Sequence, residues 1–213
     1  DLLGNIVTTS RVRAAFSSSE AYYKNLGSLF RELVEKAGLT GEQILGVGVG
    51  LPALVDIDRR TILFSKIIDL ESNVYEQISA NIPYPVELFN DANAAAYTEI
   101  WKDPDRRNAF YLMLSNNIGG CFVLDDTVYP GATQKAGEVG HMTLIPDGQK
   151  CYCGQKGCVE NYLTAENRSS LAEGSLQDFF AGLENGNREF VRAWDKYLGY
   201  LALTVNTVHA LLD

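Results

Sequence analysis

Apolar residues recur along this chain with two different periods, and the switches between them outline its elements. Between residues 19 and 38, Tyr22, Leu26, Leu29, Phe30, Leu33 and Val34 fall on one face at helical spacing, with Ser19 and Glu20 as the start and Gly38 as the stop. A period-two stretch follows, in which Val47 and Val49 alternate with glycines, and it reads as a parallel strand running into a loop. Residues 60–65 read as a strand, residues 69–80 as a helix, and PVELFN as a strand ending at Asn90-Asp91 before an alanine-rich helix. Residues 107–131 suggest two strands with a turn at Asp125-Asp126. The tail is helical: Leu176, Phe179, Phe180 and Leu183 suit one helix, and Phe190, Trp194, Tyr197, Leu198, Leu201, Val205 and Val208 suit a longer one. Residues 1–9 read as a strand, a Gly-Asn turn and a second short strand.

Strand, helix and strand in succession predict an α/β fold. A length of 213 residues fits one large domain or two small lobes, and the most natural change of lobe lies near Asn90, dividing 1–90 from 91–213. No apolar run is long enough to cross a bilayer and no signal-peptide pattern opens the chain, so a cytoplasmic setting without membrane contact is expected. A formal charge of −9 argues against nucleic-acid binding by these residues, because phosphate contacts need a basic face. The tyrosines Tyr22, Tyr23, Tyr197 and Tyr200 belong either to the core or to an interface between copies.

The densest chemistry lies between Gly137 and Tyr162. Three of the four cysteines stand there as Cys151-x-Cys153-x4-Cys158, with Gly154 and Gly157 able to fold the backbone back so that the sulfurs converge. Three thiolates with His141, one of two histidines, suit a tetrahedral Zn²⁺ site. The competing reading is a disulfide with stray thiols, which the low cysteine density makes the weaker one. Three further groups have a functional and a plain reading. Asp91, between strand and helix, is suited to proton abstraction at the carboxyl end of a strand or simply to helix capping, a role open to Asn90 as well. Glu138 and Glu160 bracket the cysteines and could accept hydrogen bonds from paired hydroxyls, or be solvated charges. Ile118-Gly119-Gly120, taken to lie in a strand turn, suits either a phosphate cradle or close hairpin packing.

Gly137-Glu138-Val139-Gly140-His141, followed by Cys151-Tyr152-Cys153-Gly154-x-x-Gly157-Cys158-Val159-Glu160, resembles the signature of the ROK family of sugar kinases and sugar-responsive repressors. The resemblance extends more loosely over nearly the whole chain. It implies a two-lobed actin-like/ribonuclease-H-like sugar kinase fold, here truncated at both ends, with a small lobe in 1–90 and a larger one carrying the zinc loop in 91–213. It also implies that Asn90 holds a sugar hydroxyl and that Asp91 is the base. Glu138, His141 and Glu160 would contact the sugar, a hexose or amino sugar. His141 would bind a structural zinc ion through one nitrogen and reach the sugar with the other, alongside Cys151, Cys153 and Cys158. A homodimer or homotetramer is expected on the same ground.

The chain departs from the family's kinases at several points. The Gly-Thr-Gly-type phosphate turn reads Ser115-Asn116-Asn117-Ile118-Gly119-Gly120, so Asn116, Asn117, Gly119 and Gly120 are what remains for phosphate. The family's Asp-x-Gly-x-Thr loop and late Gly-Gly segment do not occur, and Ala53 and Ile67 stand where glycine and asparagine are usual. The resemblance therefore points first to the sugar-binding effector domain of a transcriptional regulator, with any DNA contact made by a helix-turn-helix outside this chain. The second reading is a Mg²⁺-ATP-dependent hexose kinase using Asp91. A zinc-stapled domain without a small ligand comes last, since it leaves Asn90, Asp91 and the flanking glutamates unexplained.

Overall fold

In the computed structural model the described residues are 1–103 and 107–212. They form two compact units, Asp1–Arg106 with Gly131–Lys135, and Arg107–Pro130 with Ala136–Asp213. The division falls after Arg106, whereas the sequence pattern put the change near Asn90. The helix opened by Asp91 therefore belongs with the strand that precedes it.

The first unit contains α1 (Glu20–Lys36), β1 (Val47–Leu51), β2 (Ala53–Asp56), β3 (Thr61–Ser65), α2 (Val74–Ser79), β4 (Val86–Asn90) and α3 (Asp91–Lys102). The Ser19 hydroxyl accepts the Tyr22 N–H at 3.3 Å and caps α1. β1 and β4 pair in parallel from Val47↔Val86 to Leu51↔Asn90, so the two strands end level with each other at Asn90. β2 and β3 form a separate antiparallel pair. Tyr23, Val74, Ile78, Val86 and Leu88 make the core, with α1 packed on α2 through Gly27, where an added Cβ would stand 2.5 Å from the Asn81 carbonyl oxygen. α2 is shorter than the 69–80 pattern, beginning only at Val74.

Residues 1–9 do not form the expected strand–turn–strand. The Asp1 carboxylate accepts the Leu3 and Asn5 N–H groups at 3.0 and 2.8 Å, closing a turn around Gly4 at φ +79°. The β-branched Ile6 and Val7 beyond it stay exposed without ladder partners among the described residues.

The second unit contains β5 (Ala109–Leu114), β6 (Ile118–Leu124), β7 (Thr127–Val128), α4 (Glu160–Leu163), α5 (Glu166–Ser169), α6 (Leu176–Glu184) and α7 (Arg188–Leu212). Three antiparallel strands replace the two expected, in the order β5-β6-β7. The Asp125-Asp126 turn is present, with both residues at positive φ (50° and 62°), as a two-residue hairpin demands. Gly119 and Gly120 lie within β6, opposite Met113 and Leu112, and the turn itself is Ser115–Asn117. The core here is Ile118, Val139, Val159, Leu163 and Tyr197, and Phe179 stacks on Phe190 at 5.0 Å where α6 meets α7. Among the described residues no helix is long and apolar enough to cross a membrane.

Leu88 is 1% exposed at the centre of the first core. Leu88→Ala is expected to cost about 2–5 kcal/mol, read as a lower urea midpoint; an unchanged midpoint would mean that β4 is not where that core is anchored.

Candidate functional site

In the first unit the candidate chemistry lies at the shared carboxyl end of β1 and β4. Asn90 is the N-cap of α3: its Oδ1 accepts the Asn93 N–H at 3.1 Å and its Nδ2 donates to the Ala53 carbonyl at 3.1 Å. The cap is therefore supplied by Asn90, and Asp91 is left over as the first residue of the helix. One Asp91 oxygen accepts the Ala92 N–H at 2.9 Å, and no cation pairs with the carboxylate among the described residues. Burial raises its pKa above the ordinary aspartate value, partly offset by hydrogen bonds from the Ala92 and Asp91 N–H groups. The carboxylate is thus half-buried, bonded only to first-turn backbone N–H groups and without a cation partner among the described residues.

In the second unit the glutamates and the cysteine loop are organised around the start of β6. Glu160 opens α4 with 5% exposure, and its Oε2 accepts the Ile118 N–H at 2.8 Å. Desolvation raises the Glu160 pKa; the Ile118 hydrogen bond opposes that, and the charge of Glu138 adds to it. Gly140, inside the 3₁₀ turn Val139–His141, fills the remaining space: a Cβ there would meet the Ile118 carbonyl oxygen at 2.4 Å and Glu160 Oε2 at 3.1 Å. Glu138 precedes the same turn, with Oε2 4.0 Å from His141 Nε2.

His141 turns its other ring nitrogen to the cysteines. Its Nδ1 is 3.7 Å from Cys151 Sγ, and Cys153 Sγ is 3.7 Å from Cys158 Sγ. The four donor atoms of His141, Cys151, Cys153 and Cys158 lie within 4.8 Å of one another. A tetrahedral ion at about 2.3 Å from sulfur and 2.0–2.1 Å from nitrogen needs ligand–ligand edges of about 3.6–3.8 Å. The two closest edges already have that length, so the donor set fits a metal ion. All four cysteines of the chain are free thiols, which leaves the disulfide reading without a bond.

The protonation states agree with this fit. Burial lowers the His141 pKa and so favours the neutral imidazole that ligates a metal. Burial also pushes the Cys158 thiol up to about 12, so its thiolate at neutral pH depends on a nearby cation.

Backbone geometry explains why the loop can close. Leu144 and Ile145 both donate to the Gly157 carbonyl, at 2.8 and 3.1 Å, and Gly157 donates to the Gln149 carbonyl at 2.8 Å. Gly157 has φ +73°, and a Cβ on it would stand 1.7 Å from the Ile145 carbonyl oxygen, so no other residue fits without rebuilding the turn.

The Ser115–Asn117 turn is closed by its own groups. The Ser115 hydroxyl donates to the Asn117 carbonyl at 2.9 Å and accepts the Asn117 N–H at 3.3 Å. Gly120 serves close packing, since a Cβ there would meet the Gly137 carbonyl oxygen and the Phe110 ring, both at 2.5 Å. The sequence reading also passes over Tyr152, whose ring stands edge-on to His141 at 5.2 Å and 84°. Its position between two ligand cysteines was the available signal. It likewise passes over the Ile118 N–H, a backbone group with no sequence signal.

A fold of two α/β units, the second with a Cys3His cluster and the buried Glu160, defines a class of protein, and the comparisons agree on which. The ROK family model matches residues 1–213, and the chain belongs to the ROK family. It is 33% identical over 162 residues to a glucokinase of Streptomyces coelicolor, covering 75% of this chain and 49% of that protein. It is 30% identical over 168 residues to the xylose repressor of Bacillus subtilis, covering 76% of this chain and 43% of that protein. The chain thus spans about half the length of these curated relatives. Its fold matches that of a ROK family glucokinase from Streptomyces griseus, solved in complex with glucose and AMPPNP, with a TM-score of 0.80 at 23% identity, over 100% of this chain and 75% of that one. The mixed α/β actin-like architecture of ROK sugar kinases is therefore the fold of this chain.

Asp91→Asn tests whether the carboxylate at this strand end is a stability liability. A raised folded pKa means that the folded state holds its proton more tightly than the unfolded state. Stability relative to the Asn variant therefore falls as pH rises from the ordinary aspartate value through the raised one, and stays lower above it. The variant is expected to be more stable at neutral pH by about 0.5–1 kcal/mol, with the gap closing below the ordinary aspartate pKa. Urea melts at several pH values check this; a less stable variant at neutral pH would make Asp91 a structural residue.

Proposed function

We propose that this chain is the sugar-binding effector region of a ROK-type transcriptional regulator, with zinc as a structural ion. The observation that carries the reading is the Ser115–Asn117 turn. The Ser115 hydroxyl is bonded to the Asn117 backbone N–H and carbonyl and the following Gly120 is taken up by packing, while Asp91, Glu160 and the Cys3His cluster keep the features that sugar recognition uses. A sensor needs hydroxyl acceptors and no phosphate cradle.

On this reading Glu138, His141 and Glu160 exchange hydrogen bonds with the hydroxyls of a hexose or amino sugar, and Asn90 and Asp91 are sugar-contacting residues by resemblance to the family. The zinc ion is held by His141 Nδ1 and the thiolates of Cys151, Cys153 and Cys158. It fixes the imidazole plane so that Nε2 stays beside Glu138. When bound, the ion supplies a rigid crosslink of the loop rather than an activated water. The similarity to a xylose repressor supports a sensing role. Contact with DNA would come from residues outside this chain, since its net charge is −9.

A second reading is favoured by one observation, the uncapped, unpaired Asp91. In a sugar kinase it would take the proton of a sugar hydroxyl as that oxygen attacks the γ-phosphorus of Mg²⁺-ATP. A new P–O bond would form as the bond to the ADP oxygen breaks. The similarity to a glucokinase supports this alternative.

Purified protein is expected to carry one zinc ion per chain by elemental analysis, and chelation should lower its melting temperature by about 5 °C or more. Cys158→Ser should lose the ion; full zinc occupancy in that variant would refute the ligand set. Calorimetric titration of a hexose and amino-sugar panel, with and without Mg²⁺-ATP, separates the two functions. The sensor reading expects sugar affinity indifferent to nucleotide and about tenfold or more weaker in Asp91→Ala and in Glu160→Gln. Sugar-dependent ADP release would instead establish the kinase.

A further inference from the structure

A polar cavity of about 230 Å³ opens in the second unit between the end of α4, α5 and one face of α7. Arg168 of α5 lines it and is 5% exposed. Its guanidinium donates to the Tyr162 and Leu163 carbonyls at 3.3 and 2.7 Å and lies 4.1 Å over the Tyr197 ring. None of these partners carries a negative charge, and no carboxylate pairs with Arg168 among the described residues. Lys196 of α7, next to Tyr197 in sequence, adds a second cation to the same cavity, 5.6 Å from the centre of the Tyr200 ring. The other lining groups include the amides of Gln149, Asn161 and Asn167, and among the described residues no carboxylate lines the cavity.

This arrangement runs against the rest of the chain. A protein of net charge −9 has the acidic groups to neutralise a buried arginine, yet here two cations face one space without a counterion. Burying a guanidinium without a counter-charge is unfavourable, and carbonyls with a ring face compensate it only in part. Burial accordingly lowers the Arg168 pKa. Such a charge is stabilised when an anion enters.

We propose that this cavity is a binding site for a small oxyanion, specifically the phosphate group of inorganic phosphate or of a small phosphorylated metabolite. Arg168 and Lys196 supply the charge. The Tyr162 hydroxyl, which accepts the Gln149 N–H at 2.8 Å, keeps its own proton to donate. The cavity is smaller than the 300 Å³ or so at which drug-sized clefts begin, which suits a phosphate head and little more. The site is distinct from the Asp91 end of β4 and from the Ser115–Asn117 turn. It abuts the cysteine loop through Gln149, so an occupant would be sensed by the segment that carries the metal ligands.

The test is titration of zinc-loaded protein with inorganic phosphate, with a hexose phosphate and with the matching neutral hexose, at constant ionic strength, read by calorimetry and thermal shift. The parent is expected to bind phosphate saturably, and Lys196→Glu, a change at an exposed position, should weaken it about tenfold or more. Arg168→Gln should abolish binding; if that variant fails to fold, Lys196→Glu and Lys196→Ala decide the matter. A hexose phosphate binding more tightly than phosphate identifies a metabolite as the source, and equal affinity identifies the free ion. Absence of saturable phosphate binding by the parent, or equal binding by parent and Lys196→Glu, overturns the proposal.

Discussion

One hydrogen bond sets the second unit in order: the buried Glu160 carboxylate accepting the Ile118 N–H at 2.8 Å. It ties the first residue of α4 to the first residue of β6, and both meet the 3₁₀ turn at Gly140, which has no room for a side chain. Val139 and His141 flank that glycine. The position of His141, and with it the closure of the cysteine loop, therefore follows from where Glu160 is held. A carboxylate in so covered a place is costly unless hydrogen-bonded. On the proposed reading, with one oxygen committed to Ile118, the other is the one that would meet a sugar hydroxyl.

The first unit solves a simpler problem with the same economy. Parallel pairing brings β1 and β4 to a common end, and Asn90 there both caps α3 and holds the Ala53 carbonyl. The strand end is thus rigid on both sides of Asp91. With the Ala92 N–H bond, such a strand end lets a half-buried carboxylate keep one orientation without a cation partner.

Much of this was legible from residue spacing. Helical periodicity located α1, α6 and α7, and the positive-φ demand of a tight hairpin was visible in Asp125-Asp126. The convergence of His141 with Cys151, Cys153 and Cys158 was readable from loop glycines and ligand chemistry, as was the α/β class. What escaped has physical causes. Residues 1–9 carry apolar pairs around a Gly-Asn turn signal, but a strand is made by a partner's ladder, and the Asp1 carboxylate closes a local turn instead. Gly119 and Gly120 look like turn residues, yet Gly120 is required by the Gly137 backbone passing against it, a long-range contact that leaves no local trace. The change of lobe read near Asn90 and the packing division after Arg106 differ because a change of element is visible in sequence and a change of packing partner is not. Arg168 escaped because an isolated arginine on a short helix carries no sign of its own burial.

The division of labour at Asn90 and Asp91 has an evolutionary consequence. Because the asparagine caps the helix, the neighbouring aspartate can be exchanged without dismantling the element it begins. A single nucleotide change converts an aspartate codon to an asparagine codon, and the scaffold would survive it. The helix start is therefore a place where the charge of one side chain can change while the cap and the strand end persist.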